Sequence, residues 1–185
     1  MSLNLRSIGG VNLISPIVYS NDRLEISALQ DYMLKFSNEN ARCVINASRR
    51  VGKSTFLIMS ALLSSNTKIS IICGSNMDQK KSFVSLFIKF LKNADIDFNF
   101  VSGIYYDHIS IDNKHILIYD ENGYIDKYTR NEDELYIDEY DGVNFRNIPY
   151  LKNKTKIIAI GTKSPVAADY TEDEVGLFAG LNVTE

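Results

Sequence analysis

The chain has no tryptophan, two cysteines, two histidines and three prolines in 185 residues, and no residue run long and apolar enough to cross a bilayer, which takes about 20 residues. Each scarcity removes a class of protein. Cys43 and Cys73 stand inside the apolar strand-like runs RCVINA and ISIICG, so they read as buried thiols rather than a bridge or metal ligands. His108 and His115 have no set of partners at metal-ligand spacing. The opening MSLNLRSIGG carries neither the basic nor the apolar segment of a signal peptide, so a cytosolic protein without a membrane partner is expected. Twenty basic residues against 23 acidic ones, a formal charge of −3, give no global electrostatic case for nucleic acid. Contact with DNA would need a local patch or another domain. What is present, 45% hydrophobic and 23% charged residues, describes one ordinary soluble domain. A domain of this size withdraws roughly 70% of its unfolded surface from water and needs neither disulfide nor structural metal.

Residues 1–23 show no clear period and read as an N-terminal segment packed on the domain. From Leu24 to Phe36 apolar residues fall at helical spacing and close into Ser37-Asn38-Glu39-Asn40. Cys43–Ala47 reads as a short buried strand, followed by a tight loop and a helix to Leu63. Lys68–Cys73 is a second buried strand, and Asp78–Lys92 a helix with Phe83, Leu86, Phe87 and Phe90 on one face. This βαβα alternation predicts a mainly parallel sheet with helices on both faces. Period-two runs around Asp112-Asn113-Lys114 and Glu121-Asn122-Gly123 predict antiparallel hairpins inserted at the sheet edge. Glu134–Glu139 and Thr155–Ile160 are further strands, residues 24–165 forming the core. The C-terminal extension, 166–185, carries a weaker signal, with a short helix at Glu172–Phe178.

The chemistry concentrates in three places. Ala47-Ser48-Arg49-Arg50-Val51-Gly52-Lys53-Ser54 fits the phosphate loop G-x-x-x-x-G-K-[ST] except at its first position, where alanine replaces glycine. Loop N–H groups from Ser48 through Arg49, Arg50, Val51 and Gly52 to Thr55, at a helix N-terminus, would face phosphate. Lys53 adds a full charge at the β- and γ-phosphates, and the Ser54 hydroxyl is placed for Mg²⁺. Leu135-Tyr136-Ile137-Asp138-Glu139 has the form of an apolar strand that delivers Asp138 to the magnesium shell and Glu139 to a water near the γ-phosphate. ATP and Mg²⁺ are the expected cofactors. Arg49 or Arg50 could neutralise charge growing on the γ-phosphate, or simply lie in solvent.

These pieces resemble the ATPase domain of the large terminase subunit of tailed bacteriophages and related viruses, the motor that pumps DNA into a procapsid. Ser48-Arg49-Arg50-Val51-Gly52-Lys53-Ser54 is similar to that family's deviant phosphate loop, and the resemblance puts its cis-acting arginine finger at Arg49. Leu24-Glu25-Ile26-Ser27-Ala28-Leu29-Gln30 resembles its adenine-reading element, making Gln30 the candidate base contact against an ordinary helical glutamine. Ile69–Ser75 with Gln79 looks like its second strand and helix. Ile158-Ala159-Ile160-Gly161-Thr162-Lys163-Ser164-Pro165 resembles its coupling motif, with Thr162 the first γ-phosphate sensor and Ser164 the second.

The resemblance implies a three-layer α/β P-loop NTPase of the additional-strand, catalytic-glutamate type, with the Thr155–Ile160 strand between the phosphate-loop strand and the Asp138 strand. It also implies double-stranded DNA, a portal and a small terminase subunit as partners, a homo-oligomeric ring when active, and work in the host cell cytoplasm at a procapsid. A complete large terminase continues into a lid and an RNase H-like nuclease. This chain is therefore expected to be an isolated motor domain or a short relative served by a separate nuclease. A helicase-like, nucleic-acid-stimulated ATPase and a non-hydrolysing nucleotide-binding assembly module are the competing readings. Lys152, Lys154, Lys156 and Lys163 form a basic stretch that reads as a solvated face before it reads as a DNA grip.

Overall fold

The computed structural model describes residues 5–8, 11–14, 17–18, 23–24, 27–125, 134–143, 148, 151–162 and 179–183. Its framework is an eight-stranded sheet. In chain order the strands are β5 (Arg42–Ala47), β6 (Lys68–Cys73), β7 (Asn99–Ser102), β8 (Tyr106–Ile111), β9 (Lys114–Tyr119), β10 (Glu134–Asp138), β11 (Lys156–Gly161) and β12 (Ala179–Val183). Across the sheet they run β12-β5-β11-β10-β6-β9-β8-β7. The pairings from β12 to β9 are parallel, and the last two, β9–β8 and β8–β7, are antiparallel. The expected insertion is thus present: β11 separates the phosphate-loop strand from the acidic strand. Ahead of the sheet, β1 (Leu5–Ile8) pairs with β2 (Val11–Ile14) and β3 (Ile17–Val18) with β4 (Arg23–Leu24), where sequence reading found no element.

Alternation along the central strands divides the core. Tyr136, Ile158 and Ile160 enter one cluster with Met33, Phe56, Leu57, Ile58 and Phe87 from the helices. Leu135, Ile137, Ile157 and Ala159 enter a second cluster on the opposite face with Tyr119, Tyr124 and Tyr140. Strands buried on both faces must be apolar at successive positions, which is why KISIIC and ELYID carry almost no polar alternation. The three long helices, α1 (Ala28–Glu39), α2 (Lys53–Leu63) and α3 (Met77–Asn93), share the first face. Among the described residues the second is covered by α4 (Glu121–Ile125) and the 3₁₀ turns Tyr140–Gly142 and Leu151–Asn153.

Several expectations are corrected. Helix α1 starts at Ala28 because Ser27 accepts the Gln30 N–H as N-cap, and Leu24 belongs to β4. Glu121-Asn122-Gly123 is the start of α4 rather than a hairpin, since Asp120 Oδ1 accepts the Gly123 N–H at 2.7 Å and fastens a helical turn. The two histidines are stacked neighbours on the β8–β9 hairpin, His108 Nε2 lying 3.1 Å from His115 Nδ1. No group of three or more metal-binding side chains surrounds them among the described residues. Cys43 and Cys73 are buried free thiols, burial pushing that of Cys43 up to about 12. Lys154 is buried, so it is not part of a solvated basic face; the structure of Lys163 lies outside the described residues, as does the segment Glu172–Phe178. No described helix is long and apolar enough to cross a membrane.

Candidate functional site

Parallel pairing sets the carboxyl ends of β5, β11 and β10 side by side, with Gly161 opposite Asn46 and Asp138 opposite Ile160. Ligands in open α/β sheets bind beyond such ends. The phosphate loop leaves β5 there. Ala47, the position that departs from the motif, closes the strand without a positive φ, so glycine's freedom is not needed. The two left-handed residues are Arg50 (φ 70°) and Gly52 (φ 83°), and the second turns the chain into α2. Ser27 and Asn76 cap α1 and α3, whereas α2 has no side-chain cap and no acid in its first turn. Its first N–H groups and the positive end of its dipole therefore face the loop unopposed. Lys53 Nζ donates to the carbonyls of Ala47 (3.5 Å) and Ser48 (3.2 Å), folded under the loop with 8% exposure. Val51 is buried, Thr55 half-buried, and Arg49 and Arg50 are exposed, with no hydrogen bond or ion pair to another described residue. The Ser48 N–H donates to Val183 O at 3.2 Å, which joins the loop to β12, an element the sequence did not reveal.

The second motif meets the first directly. Ser54 Oγ donates to Asp138 Oδ2 at 2.6 Å. Burial drives the Asp138 carboxyl up to about 6, and the negative charge of Glu139 adds to the rise. The Ser54 and Glu139 hydrogen bonds and the Lys53 charge oppose it without offsetting it. Two hard oxygen donors, one a buried carboxylate short of positive charge, suit Mg²⁺, which takes one or two carboxylates and completes its shell with water and phosphate. Glu139 has φ 52° and ψ 48°, left-handed for a non-glycine residue. In a continued strand it would point away from Asp138. The kink instead lets both acids line one open cleft of about 500 Å³ with Ser54, Cys73, Asn76, Gln79 and Ser82. Left-handed strain of this kind, on the order of 1–3 kcal/mol, collects where function dictates geometry.

The third motif is tied to the second. The Thr162 N–H donates to Asp141 Oδ1 at 3.3 Å, and the Tyr140–Gly142 turn is seated on the end of β11. Space for that seat exists because residue 161 is glycine: a Cβ there would meet Asp141 Oδ1 and come within 2.6 Å of the Tyr140 ring. Neither Tyr140 nor Asp141 stood out in the sequence. Ser164 lies outside the described residues. Gln30 does reach the site, but through the loop backbone, its Nε2 donating to Gly52 O at 3.3 Å.

Fold and site together define a P-loop α/β domain with an added central strand. No family model and no curated protein matches the sequence. Solved structures match the fold. The large terminase ATPase domain of Thermus phage P74-26 superposes with a TM-score of 0.59 and 13% identity, over 86% of this chain and 81% of that one. The large terminase of a second, thermophilic bacteriophage gives 0.56 and 14%, over 86% of this chain and 45% of that one. The same terminase in complex with ATP-gamma-S gives 0.52 and 11%, over 86% and 44%. The chain thus spans less than half the length of that second terminase. At these identities the likeness establishes the architecture: this is the fold of large terminase ATPase domains.

Proposed function

We propose that the domain is the ATP-hydrolysing motor of a viral DNA-packaging terminase. The observation that carries this reading is the 2.6 Å contact between Ser54 and Asp138, which brings the phosphate loop and the acidic strand together across 84 residues of sequence. In this reading the loop N–H groups and Lys53 hold the β- and γ-phosphates. Ser54 and Asp138 would hold Mg²⁺, which when bound neutralises phosphate charge. Glu139 orients a water and takes its proton as the water oxygen bonds to the γ-phosphorus and the bond to the bridging oxygen breaks. Arg49, exposed beside the loop, neutralises the charge that develops, and Thr162 senses the loss of phosphate. The hydrogen bond from Thr162 to Asp141 supports that role, because it links the end of β11 to the turn that follows Glu139.

Double-stranded DNA as track, a portal and small subunit as further partners, a homo-oligomeric ring and action in the host cytoplasm follow from the same reading and extend it beyond this chain. The test is ATP turnover with and without double-stranded DNA. Glu139→Gln is expected to keep ATP affinity and lose turnover, and Lys53→Ala to lose affinity. Persistent hydrolysis in the first variant overturns the role of Glu139. Hydrolysis stimulated by single-stranded but not double-stranded nucleic acid turns the assignment to a helicase-like ATPase, and tight nucleotide binding without turnover turns it to an assembly module.

A further inference from the structure

The outer hairpin of the sheet carries both histidines of the chain, and neither has a part in the site described above. We propose that His108 and His115 together chelate a divalent first-row transition metal, Zn²⁺ or Cu²⁺, on the face of the sheet away from the long helices. The inference does not depend on the nucleotide-binding reading. Their separation along the sequence hides the juxtaposition. The antiparallel register sets Ser110 opposite His115 and His108 opposite Leu117, so the two rings are diagonal neighbours on one face. Ile109 and Ile116, which alternate with them, enter the core cluster under the helices, and this leaves the imidazoles on the other side. His108 is half-buried there and His115 exposed.

The spacing of the facing nitrogens suits an ion. His108 Nε2 and His115 Nδ1 lie 3.1 Å apart, with ring planes 28° from parallel. Metal–imidazole bonds are about 2.0–2.1 Å long, so an ion bonded to both nitrogens would subtend an angle of about 98° between them. That value falls between the square-planar geometry of Cu²⁺ and the tetrahedral geometry of Zn²⁺. Small turns about χ2, whose wells are broad in histidine, aim both lone pairs at the ion. Without metal the facing nitrogens share a hydrogen bond, one ring donating and the other accepting. On binding, the donor's proton passes to the far nitrogen of the same ring, and both rings ligate in the neutral form. Burial, and then the neighbouring His115, hold the His108 imidazole below the usual histidine range, which favours that form. The thiols compete poorly, because Cys43 and Cys73 are buried and burial pushes both up. Among the described residues no third side chain completes a cluster, so water takes the remaining positions. An ion held by both rings pins β8 to β9.

The test titrates the intact chain with Cu²⁺ and Zn²⁺ in excess Mg²⁺, a hard ion that occupies oxygen sites and leaves imidazole free. Stoichiometric Cu²⁺ binding is expected, with two imidazole nitrogens resolved in its electron paramagnetic resonance spectrum. Melting temperature should rise with Zn²⁺ concentration, as for any ligand of the folded state. His108→Gln and His115→Gln keep a polar, hydrogen-bonding side chain outside the core, so both should fold. Each should weaken Zn²⁺ binding at least about tenfold, since losing a residue that merely orients a ligand already costs about 10–100-fold, and should cancel the melting shift. Equal Zn²⁺ affinity in wild type and both variants, no binding at all, or a Cu²⁺ spectrum without imidazole nitrogen overturns the proposal. Two nitrogens persisting in either single variant would mean that separate molecules supply the rings, and would overturn chelation within one hairpin.

Discussion

Gly161→Ala tests whether the acidic strand and the end of β11 act as one unit. The added Cβ would lie 2.6 Å from both Cδ1 and Cε1 of Tyr140. Ordinary carbon contacts begin near 3.5 Å, so ring and methyl must part by about 1 Å. Asp141, the other neighbour, is exposed and can swing aside. Tyr140 cannot, because it is 4% exposed and belongs to the core cluster with Ile137, Ala159 and Tyr124. The displacement therefore falls on the backbone of the Tyr140–Gly142 turn, immediately after Glu139. Overpacking of this size costs about 1–3 kcal/mol of stability. A carboxylate moved about 1 Å from its reacting position costs about 100-fold in rate.

The assay is single-turnover ATP hydrolysis on folded protein, paired with ATP affinity and thermal melting. Gly161→Ala should melt lower, bind ATP with little change, since the loop residues are not displaced, and hydrolyse it about 100-fold more slowly. Adding Tyr140→Leu, which removes the opposing ring edge, should recover part of the rate. Gly180→Ala on β12 is the control, with nothing within 4 Å of its new methyl, and should be neutral. Wild-type turnover and melting in Gly161→Ala would show that the turn bearing Glu139 does not depend on its seat, and the linkage would be abandoned.

Three further outcomes follow from particular side chains. Because the Asp138 carboxyl rises from 3.8 to about 6 on folding, the native state binds the extra proton between those values, so the group's contribution is most favourable below about pH 4 and is lost as pH rises to about 6. In EDTA, wild type should therefore lose stability relative to Asp138→Asn between about pH 4 and about pH 6.5, by at most about 3 kcal/mol; a pH-independent difference between the two would refute burial as the cause. Lys114 Nζ donates to the carbonyls of Ala61, Leu62 and Ser64 at 2.9, 2.9 and 2.6 Å, satisfying the end of α2. Lys114→Met should cost about 1–3 kcal/mol in denaturant melts without altering turnover per folded molecule, and an unchanged midpoint would discount the clamp. Lys80 and Asp107 form a buried pair at 3.3 Å, so Asp107→Leu alone should cost about 3–5 kcal/mol and Asp107→Leu with Lys80→Met clearly less; additive losses in the double-mutant cycle would contradict that.

The central strands were legible because of where they lie. β6 and β10 are buried on both faces, so their sequences are nearly continuous apolar runs that end where the chemistry begins. The edges were not. β7 is exposed at all four residues, and β12 is Ala-Gly-Leu-Asn-Val, so neither has a run or an alternation to read. Both are strands by virtue of the neighbour they pair with. The phosphate loop and the acids could be named because their chemistry demands particular residue types, and Thr162 through the family resemblance alone. Tyr140 and Asp141 act by filling space or bonding backbone, which many residue types do. Even so, Ser27-Ala28-Leu29-Gln30 is a capping-box spelling, and that signal would have placed the helix start and shown one end of the Gln30 amide already engaged.

The division between a rigid sheet and a lightly tied rim bears on how such a site works. Ile45, Tyr136, Ile158 and Ile160 have no exposed surface, so moving one strand against another would open the core and cost several kcal/mol for each side chain. Hydrogen bonds tie the rim residues to one another, among them Ser48 to Val183, Gln30 to Gly52, Ser54 to Asp138 and Thr162 to Asp141, each worth on the order of 1 kcal/mol. A bound triphosphate that replaces some of these bonds can reset the loop and the Glu139 turn while the sheet stays still. The left-handed Arg50 and Glu139 and the incompletely compensated charge of Asp138 all stand on this rim and raise its free energy. A triphosphate is itself anionic and would add to the negative charge around Asp138, so the positive charge this carboxylate lacks would have to come from a cation held between Ser54 and Asp138.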